Sequence, residues 1–334
     1  MKMAENKIVG NRSELVFLYD IKNANPNGDP DENKPRIDEE TERNIVTDVR
    51  LKRTIRDYLA KYKGENIWVM EERKEDGTRK TREEKLEEAG ILNRKDAEKL
   101  VENFIDLRLF GATIAGKRGE GGKGEKVFTW IGPVQFKFGK SLHSVEPLLI
   151  RGTSVLPTKE QKAGGAFTEM WILPYSLICF YGIINENAAK DTGLTEKDVK
   201  LLLEGIWNGT KNLITRSKAG QMPRFLLRVI YKENNYHIGD LDQKIKLLDE
   251  ENKEIDKDGK PGKEIRCISE IKVDISELID TLERYKKKIE KIEYEVDPDV
   301  RFIANCEERK GDEIEDILKK ISEKVERLGF EKMK

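Results

Sequence analysis

The chain has 334 residues, with 63 Lys or Arg against 64 Asp or Glu and a formal net charge of −1. That length suits one large domain or two ordinary ones, and the balanced charge excludes a globally basic nucleic-acid binder. With 37% hydrophobic and 38% charged residues, the composition also excludes a membrane protein. The most apolar stretch, Trp171 to Ile184, is too short to span a bilayer. Because residues 1–10 lack the apolar core of a secretory signal, we expect a cytoplasmic protein with no membrane partner.

Cysteine and histidine are too few and too scattered to form a metal site. The chain has Cys179, Cys267 and Cys306, and its two histidines are His143 and His237. None of these residues follows the spacing of zinc ligands. We therefore expect reduced thiols, no metal and no cofactor.

The first third of the chain predicts a strand, a dense turn, a helix and an insertion. Residues 14–22 form an apolar run typical of a buried strand. It ends in Asn23-Ala-Asn-Pro-Asn-Gly-Asp-Pro30, where Gly, Pro, Asn and Asp all favour turns. A helix is predicted from Asp48 to Tyr62, with Thr47 or Asp48 as its N-cap. Residues 64–126 then form a charged insertion with short helices and a glycine-rich loop.

Residues 127–231 predict further strands, a projecting hairpin and a second long helix. The predicted elements are the strand Val127–Phe138, the projecting hairpin Arg151–Met170, the strand Trp171–Ile184, the helix Thr195–Leu213 and the strand Phe225–Tyr231. Leaving out the hairpin, the order is strand, helix, strand, strand, helix, strand. This order predicts an α+β fold of the ferredoxin-like or RNA-recognition-motif (RRM-like) plan.

The last part of the chain, residues 240–334, is more acidic. We expect a hairpin around Asp258-Gly259 and helices near Ser276–Lys291 and Asp312–Leu328. The sequence contains no internal repeat and no low-complexity linker. Residues 1–334 are therefore predicted to form a single elaborated domain.

Positive charge is concentrated in two segments despite the neutral total. Residues 44–63 carry a net charge of +4, and residues 205–232 carry +6 with no acidic residue. Residues 240–258 carry −4. Segregation of this kind favours a protein with one face that follows a phosphate backbone, although Lys52, Arg53 and Arg56 also suit the solvated face of an amphipathic helix.

Two motifs resemble a nucleotide-binding loop and a metal site, but the surrounding sequence does not support either function. The sequence from Gly119 to Gly124 matches G-x-G-x-x-G, yet it precedes a predicted strand and does not open a helix. A basic loop is the better interpretation. Asp29, Asp31 and Asp38 could hold a divalent metal, but turn formation alone explains them. The residues therefore favour a binding protein over an enzyme.

Several longer motifs resemble the Cas7 family, which supplies the backbone subunit of type I CRISPR effector complexes (Cascade). The resemblance runs in order through residues 10–235 and is greatest to the Csh2 form of subtype B, with the subtype C form second. The matching segments are residues 23–30 (NANPNGDP), 35–38 (PRID), 46–56 (VTDVRLKRTIR), 106–111 (DLRLFG), 132–136 (GPVQF), 141–143 (SLH), 164–169 (GGAFTE) and 173–177 (LPYSL).

The resemblance implies an RRM-like palm, with inserted fingers in residues 64–126 and a thumb in residues 151–170. Copies of such a subunit assemble head to tail along the spacer of a CRISPR RNA. The thumb displaces a base at regular intervals, and the remaining bases pair with target DNA. The implied partners are thus the CRISPR RNA, target DNA through the guide, further copies of the chain and other Cascade subunits. A separate helicase-nuclease performs the cleavage, so the chain itself is expected not to be an enzyme.

The resemblance also implies roles for individual residues. The expected RNA-binding residues are Asn23, Asn25, Asn27, Thr47, Lys52, Arg53, Arg56, Arg216, Lys218 and Arg224. The expected thumb residues are Arg151, Val155, Leu156, Phe167 and Met170. One departure from the family pattern is Glu42, which stands where a glycine is expected.

Two other functions remain open at this point. One is a metal-dependent RNase like the type III backbone subunits, with Asp29 or Asp38 at the scissile phosphate. The other is an RRM-like regulator that binds cellular RNA as a monomer.

Overall fold

The structure, a computed structural model, describes residues 6–91, 94–115, 127–153 and 167–330. Its strands are β1 (Ser13–Ala24), β2 (Ile37–Asp38), β3 (Arg43–Val46), β4 (Gly111–Ala115), β5 (Val127–Ile131), β6 (Val134–Phe136), β7 (Gly139–Ser144), β8 (Leu148–Thr153), β9 (Phe167–Ile184), β10 (Met222–Tyr231), β11 (Lys246–Leu248), β12 (Lys272–Asp274), β13 (Ile289–Val296), β14 (Arg301–Ala304), β15 (Glu307–Lys310) and β16 (Val325–Arg327). Its helices are α1 (Asp48–Lys63), α2 (Arg82–Glu88), α3 (Arg94–Asn103), α4 (Ile105–Phe110), α5 (Glu186–Thr192), α6 (Glu196–Lys211), α7 (Ser276–Arg284) and α8 (Ile314–Ile321).

A large sheet organises the mixed α/β fold. Its strand order is β16-β13-β10-β1-β9-β7-β3-β2, and β6 and β8 also pair with β9. The central strands β10, β1, β9 and β7 run antiparallel to their neighbours. Together with α1 and α6 they occur along the chain as strand, helix, strand, strand, helix, strand. In the sheet, the first of these strands (β1) lies between the third (β9) and the fourth (β10).

Strand β1 is buried on both faces, which explains its continuous apolar sequence. Leu15, Phe17 and Tyr19 belong to the core beneath α1 and α6. Val16 and Leu18 point to the opposite face and belong to the core formed with the C-terminal part of the chain. An antiparallel strand with one solvated face would alternate apolar and polar residues instead.

Two glycines allow α1 and α6 to approach closely. A Cβ atom added at Gly205 would lie 3.0 Å from Cγ2 of Ile55, and one at Gly209 would lie 3.1 Å from Cβ of Tyr58. These helices cover one face of the sheet. Helix α6 begins as predicted, because Thr195 and Asp198 form a capping box.

Residues 241–321 cover the other face of the sheet. Phe302 of β14 packs edge-on against Phe225 of β10, with ring centroids 5.2 Å apart. In an RRM, by contrast, one face of the sheet is open and bases stack on its exposed aromatic residues. Here that face is filled by the protein's own apolar side chains.

The C-terminal helix predictions were wrong in their second halves. Helix α7 ends at Arg284, and β13 follows as a strand of the main sheet. Helix α8 covers only Ile314–Ile321, after which β16 pairs with β13. The alternation in β13 was hidden because its charged positions also favour helix. The predicted hairpin at Asp258-Gly259 is a turn outside any strand.

The predicted strand Val127–Phe138 is divided between two sheets. β5 pairs with β4, whereas β6 pairs with β9 of the main sheet. Gly132 separates them, and a Cβ there would lie 2.0 Å from the carbonyl carbon of Phe110. The insertion has a small core of its own, formed by Trp68, Leu86, Leu100, Val101, Leu107 and Ile114.

Candidate nucleic-acid interface

The turn after β1 is bonded to the start of α1 through one asparagine. Oδ1 of Asn27 accepts hydrogen bonds from the backbone N–H and the hydroxyl of Thr47, both at 2.9 Å. The Thr47 hydroxyl makes no capping hydrogen bond to the first turn of the helix. The positive end of the α1 dipole therefore has no side-chain acceptor from its N-cap residue.

A second asparagine connects the same turn to the loop before β10. The fully buried Asn25 donates its backbone N–H to the carbonyl of Ser217 at 2.8 Å. Its own carbonyl accepts a hydrogen bond from Nζ of Lys218 at 3.1 Å. Three segments distant in sequence thus meet, and we call residues 23–30, 47–50 and 215–221 the three-segment junction. Asn23 lies near the end of β1, not in the turn as predicted; it is exposed and has a φ of 50°.

Lys52 and Arg56 are engaged within the protein. Nζ of Lys52 lies 2.9 Å from the Asp48 carboxylate, and its side chain is 12% exposed. Nε of Arg56 lies 2.9 Å from the fully buried carboxylate of Asp106. Both cations also lie over the ring of Phe110. Helical periodicity predicted an open basic face here, but the insertion covers this side of α1.

Asp106 explains one of the sequence motifs. Besides the Arg56 guanidinium, its carboxylate accepts the backbone N–H groups of Trp68 and Val69 at 2.7 and 3.0 Å. Two residues later, Arg108 pairs with Asp198 at the start of α6 at 2.9 Å. The segment 106–111 therefore fastens the insertion to α1 and α6 through two ion pairs.

The other predicted cations divide into engaged and open groups. Arg224 is bonded to Asp20 at 3.0 Å and Asp297 at 2.7 Å, and its side chain is 12% exposed. Burial raises the pKa of Asp20 in spite of this partner. By contrast, Arg216 is exposed, and Arg53 is half exposed although its Nε lies 2.7 Å from the Asp57 carboxylate. Sequence spacing alone cannot separate these groups, since the partners of Arg224 lie on β1 and after β13.

Arg50 belongs to the junction but was missed as a site residue. It is half-buried; one guanidinium N–H bonds to Oγ1 of Thr54 at 3.0 Å, whereas its buried Nε has no acceptor. Burial lowers its pKa. Burial also lowers the pKa of Lys218, and the Arg50 charge adds to that decrease. Arg50 could have been predicted as a site residue from its position in the first turn of a helix that follows an Asn-rich turn.

The base of the predicted thumb is a two-stranded ribbon. β8 pairs with β9, and Arg151 lies opposite Glu169, with their side chains bonded at 3.1 Å in solvent. Met170 is half-buried and pairs in register with Ile150. Val155, Leu156 and the side chain of Phe167 lie outside the described residues, as does the loop predicted from Gly119 to Gly124.

The acids of the turn region make turn contacts. Oδ1 of Asp29 accepts the backbone N–H groups of Asp31 and Glu32 at 3.1 and 2.8 Å. Oδ1 of Asp38 accepts that of Glu40 at 3.2 Å. Within the described ranges, no three His, Cys, Asp or Glu residues are grouped as metal ligands. No helix among the residues that the structure describes is both long and apolar enough to cross a membrane.

Comparison with solved structures defines the class of fold. A chain of a CRISPR RNA-guided surveillance complex, pre-nicking, superimposes with a TM-score of 0.50 over 85% of this chain and 92% of that chain. At 11% identity, this likeness shows a shared fold.

Sequence comparison then gives the family. The profile of CRISPR-associated protein Cas7 matches residues 11–276. A protein of Haloferax volcanii described as CRISPR-associated protein Cas7 is 35% identical over 303 residues, which are 84% of this chain and 85% of that protein. The chain belongs to the Cas7 family.

Proposed function

We propose that the protein is the CRISPR-RNA-binding backbone subunit of a type I interference complex. The observation that carries this proposal is the three-segment junction. There, a helix N-terminus without an N-cap side-chain hydrogen bond adjoins Arg50 and Lys218, which make no ion pair among the described residues, and the exposed Arg216 lies in the same loop as Lys218. Arg53 adds a half-exposed charge on α1. Phosphate groups suit such a surface, since positive charge and helix N-termini bind them without reading sequence.

The closed sheet face supports a binding mode that avoids base edges. Because residues 241–321 cover the face on which an RRM stacks bases, RNA would lie at the loop end of the sheet and over the junction. A backbone subunit has to accept every spacer sequence, so contacts to phosphates and sugars are what its task requires. In this proposal the strand order fourth–first–third–second corresponds to an RRM-like palm.

The finer assignments belong to the same proposal. Residues 64–126 would be the fingers, and residues 151–170 the thumb that reaches a neighbouring copy. Copies would stack head to tail along the spacer and leave most bases free for target DNA. The chain would bind without cleaving, in the cytoplasm, with other Cascade subunits and a separate helicase-nuclease. The subtype B (Csh2) form is our first choice and the subtype C form the second.

Mass measurement on RNAs of increasing length tests this function. The purified protein is mixed with single-stranded RNAs of graded length and two unrelated sequences, and the mass is determined by light scattering after size exclusion. Bound copies should rise in steps with length, equally for both sequences. One fixed stoichiometry at every length would contradict the backbone role and favour a monomeric RNA-binding regulator. Mg²⁺-dependent cleavage that is lost in D29A or D38A would indicate the RNase instead.

A further inference from the structure

Two cations of the junction differ from the other engaged basic residues around it. Lys52, Arg56 and Arg224 each lie within ion-pair distance of a carboxylate. Arg50 and Lys218 are half-buried, but among the described residues neither makes an ion pair. The carboxylate whose charge acts on Arg50 is Asp57, and that group is bonded to Arg53.

The protein supplies each of these cations with a neutral hydrogen-bond partner. Nζ of Lys218 donates to the carbonyl of Asn25, which fixes the ammonium against the turn. The guanidinium of Arg50 is held by Thr54, and its Nε–H is buried without an acceptor. Withdrawing two like charges from water costs free energy unless an anion pairs with them.

We propose that Arg50 and Lys218 form a clamp for one phosphate group, closed on one side by the uncapped first turn of α1. The inference rests on the proposed function, where the phosphate is a backbone phosphate of the RNA. It adds Arg50 as a binding residue and assigns Lys52, Arg56 and Arg224 to the support of the fold. Arg50 is suited to this position because its planar group can offer two donors to one phosphate.

In the absence of RNA, the clamp should make the stability of the protein depend on the anion in solution. Ordinary surface ion pairs are weakened by salt, whereas two unpaired like charges are relieved by it, most of all by divalent anions. Wild-type protein should therefore gain resistance to urea when sulfate or inorganic phosphate replaces chloride at equal ionic strength. In R50M and K218M, which keep the aliphatic stem but remove one charge, this anion-specific gain should be reduced by at least half.

RNA binding supplies the second readout. Fluorescence anisotropy with a labelled uridine homopolymer is measured over a range of KCl concentrations. Each variant should lose roughly tenfold in affinity, and the slope of log affinity against log salt should decrease by about 0.7 for one lost phosphate contact. K319M is the matched control, since it removes the same charge from α8, where Lys319 pairs with Glu315. All three variants are first checked for a native unfolding transition.

The outcomes separate the clamp from the function. If wild type binds RNA and R50M and K218M bind as K319M does, the clamp is refuted and the RNA-binding function stands. If wild type does not bind RNA, the function fails, and the anion-specific stabilisation alone then decides whether the pair is a phosphate site. Equal stabilisation of wild type and variants by sulfate and phosphate would show general salting-out and would refute the clamp in either case.

Discussion

The ion pair between Asp106 and Arg56 should be essential for stability. In the variant D106A, Arg56 would remain over Phe110 with 11% of its side chain exposed and with no counter-charge. The backbone N–H groups of Trp68 and Val69 would lose their acceptor as well. Breaking a buried pair from one side costs about 3–5 kcal/mol, and each orphaned N–H costs about 1–3 kcal/mol if it stays dry. Because these terms overlap, we expect a loss of about 4 kcal/mol.

Urea unfolding followed by tryptophan fluorescence measures this loss. Two companion variants separate its causes. D106N keeps an acceptor for the backbone N–H groups and removes the charge, so it should lose less than D106A. R56M with D106L removes both charges and should recover part of the stability, since apolar replacement of a buried pair is often tolerated.

A small loss would refute this reasoning. If D106A costs less than about 1 kcal/mol, the carboxylate is not the buried anchor that its contacts indicate. If R56M leaves stability unchanged and weakens RNA binding, Arg56 would be a phosphate ligand, as the family resemblance first implied. Hydrogen exchange at Trp68 and Val69 provides a local check, because both amides should lose protection in D106A.

Three further predictions follow from other buried or open groups. Burial lowers the pKa of His143 to about 4, so the folded state favours the neutral ring and its stability should fall as pH drops from about 6.5 to 4, by up to about 3 kcal/mol. Urea midpoints across this range should show that fall, and H143Q should lack most of it. Glu14 is fully buried and accepts hydrogen bonds from the hydroxyls of Tyr181 and Tyr231 and from two backbone N–H groups. In E14Q the side-chain NH2 group would face some of these donors, so the free energy of unfolding measured in urea should decrease by about 2–4 kcal/mol. A decrease below about 1 kcal/mol would contradict the geometry. R216A should weaken binding to all RNA sequences about equally and reduce the salt slope, and a loss confined to one sequence by anisotropy would indicate base recognition instead.

Local sequence was sufficient to predict the bounds of those helices and strands that do not depend on contacts with distant residues. Helix α1 begins and ends within one residue of its prediction, because its apolar spacing and flanking residues define it locally. The start of α6 at Thr195 was likewise predicted, because its capping box is formed by residues only three positions apart. Glu42 has a φ of 52°, so the departure from the expected glycine coincides with a left-handed position. The strand β13 was missed because its charged residues also favour helix.

The candidate interface was also predictable only in part. Sequence by itself determined the family motifs, the turn and the basic segments, since these depend on residue type and short spacing. Tertiary structure decided which cations are engaged and which are open. Arg56 and Arg224 are held by Asp106 and Asp297, residues 50 and 73 positions away, and helical periodicity contains no information about such partners. Charge along the chain shows where cations are, but burial and long-range pairing determine which of them can meet a phosphate.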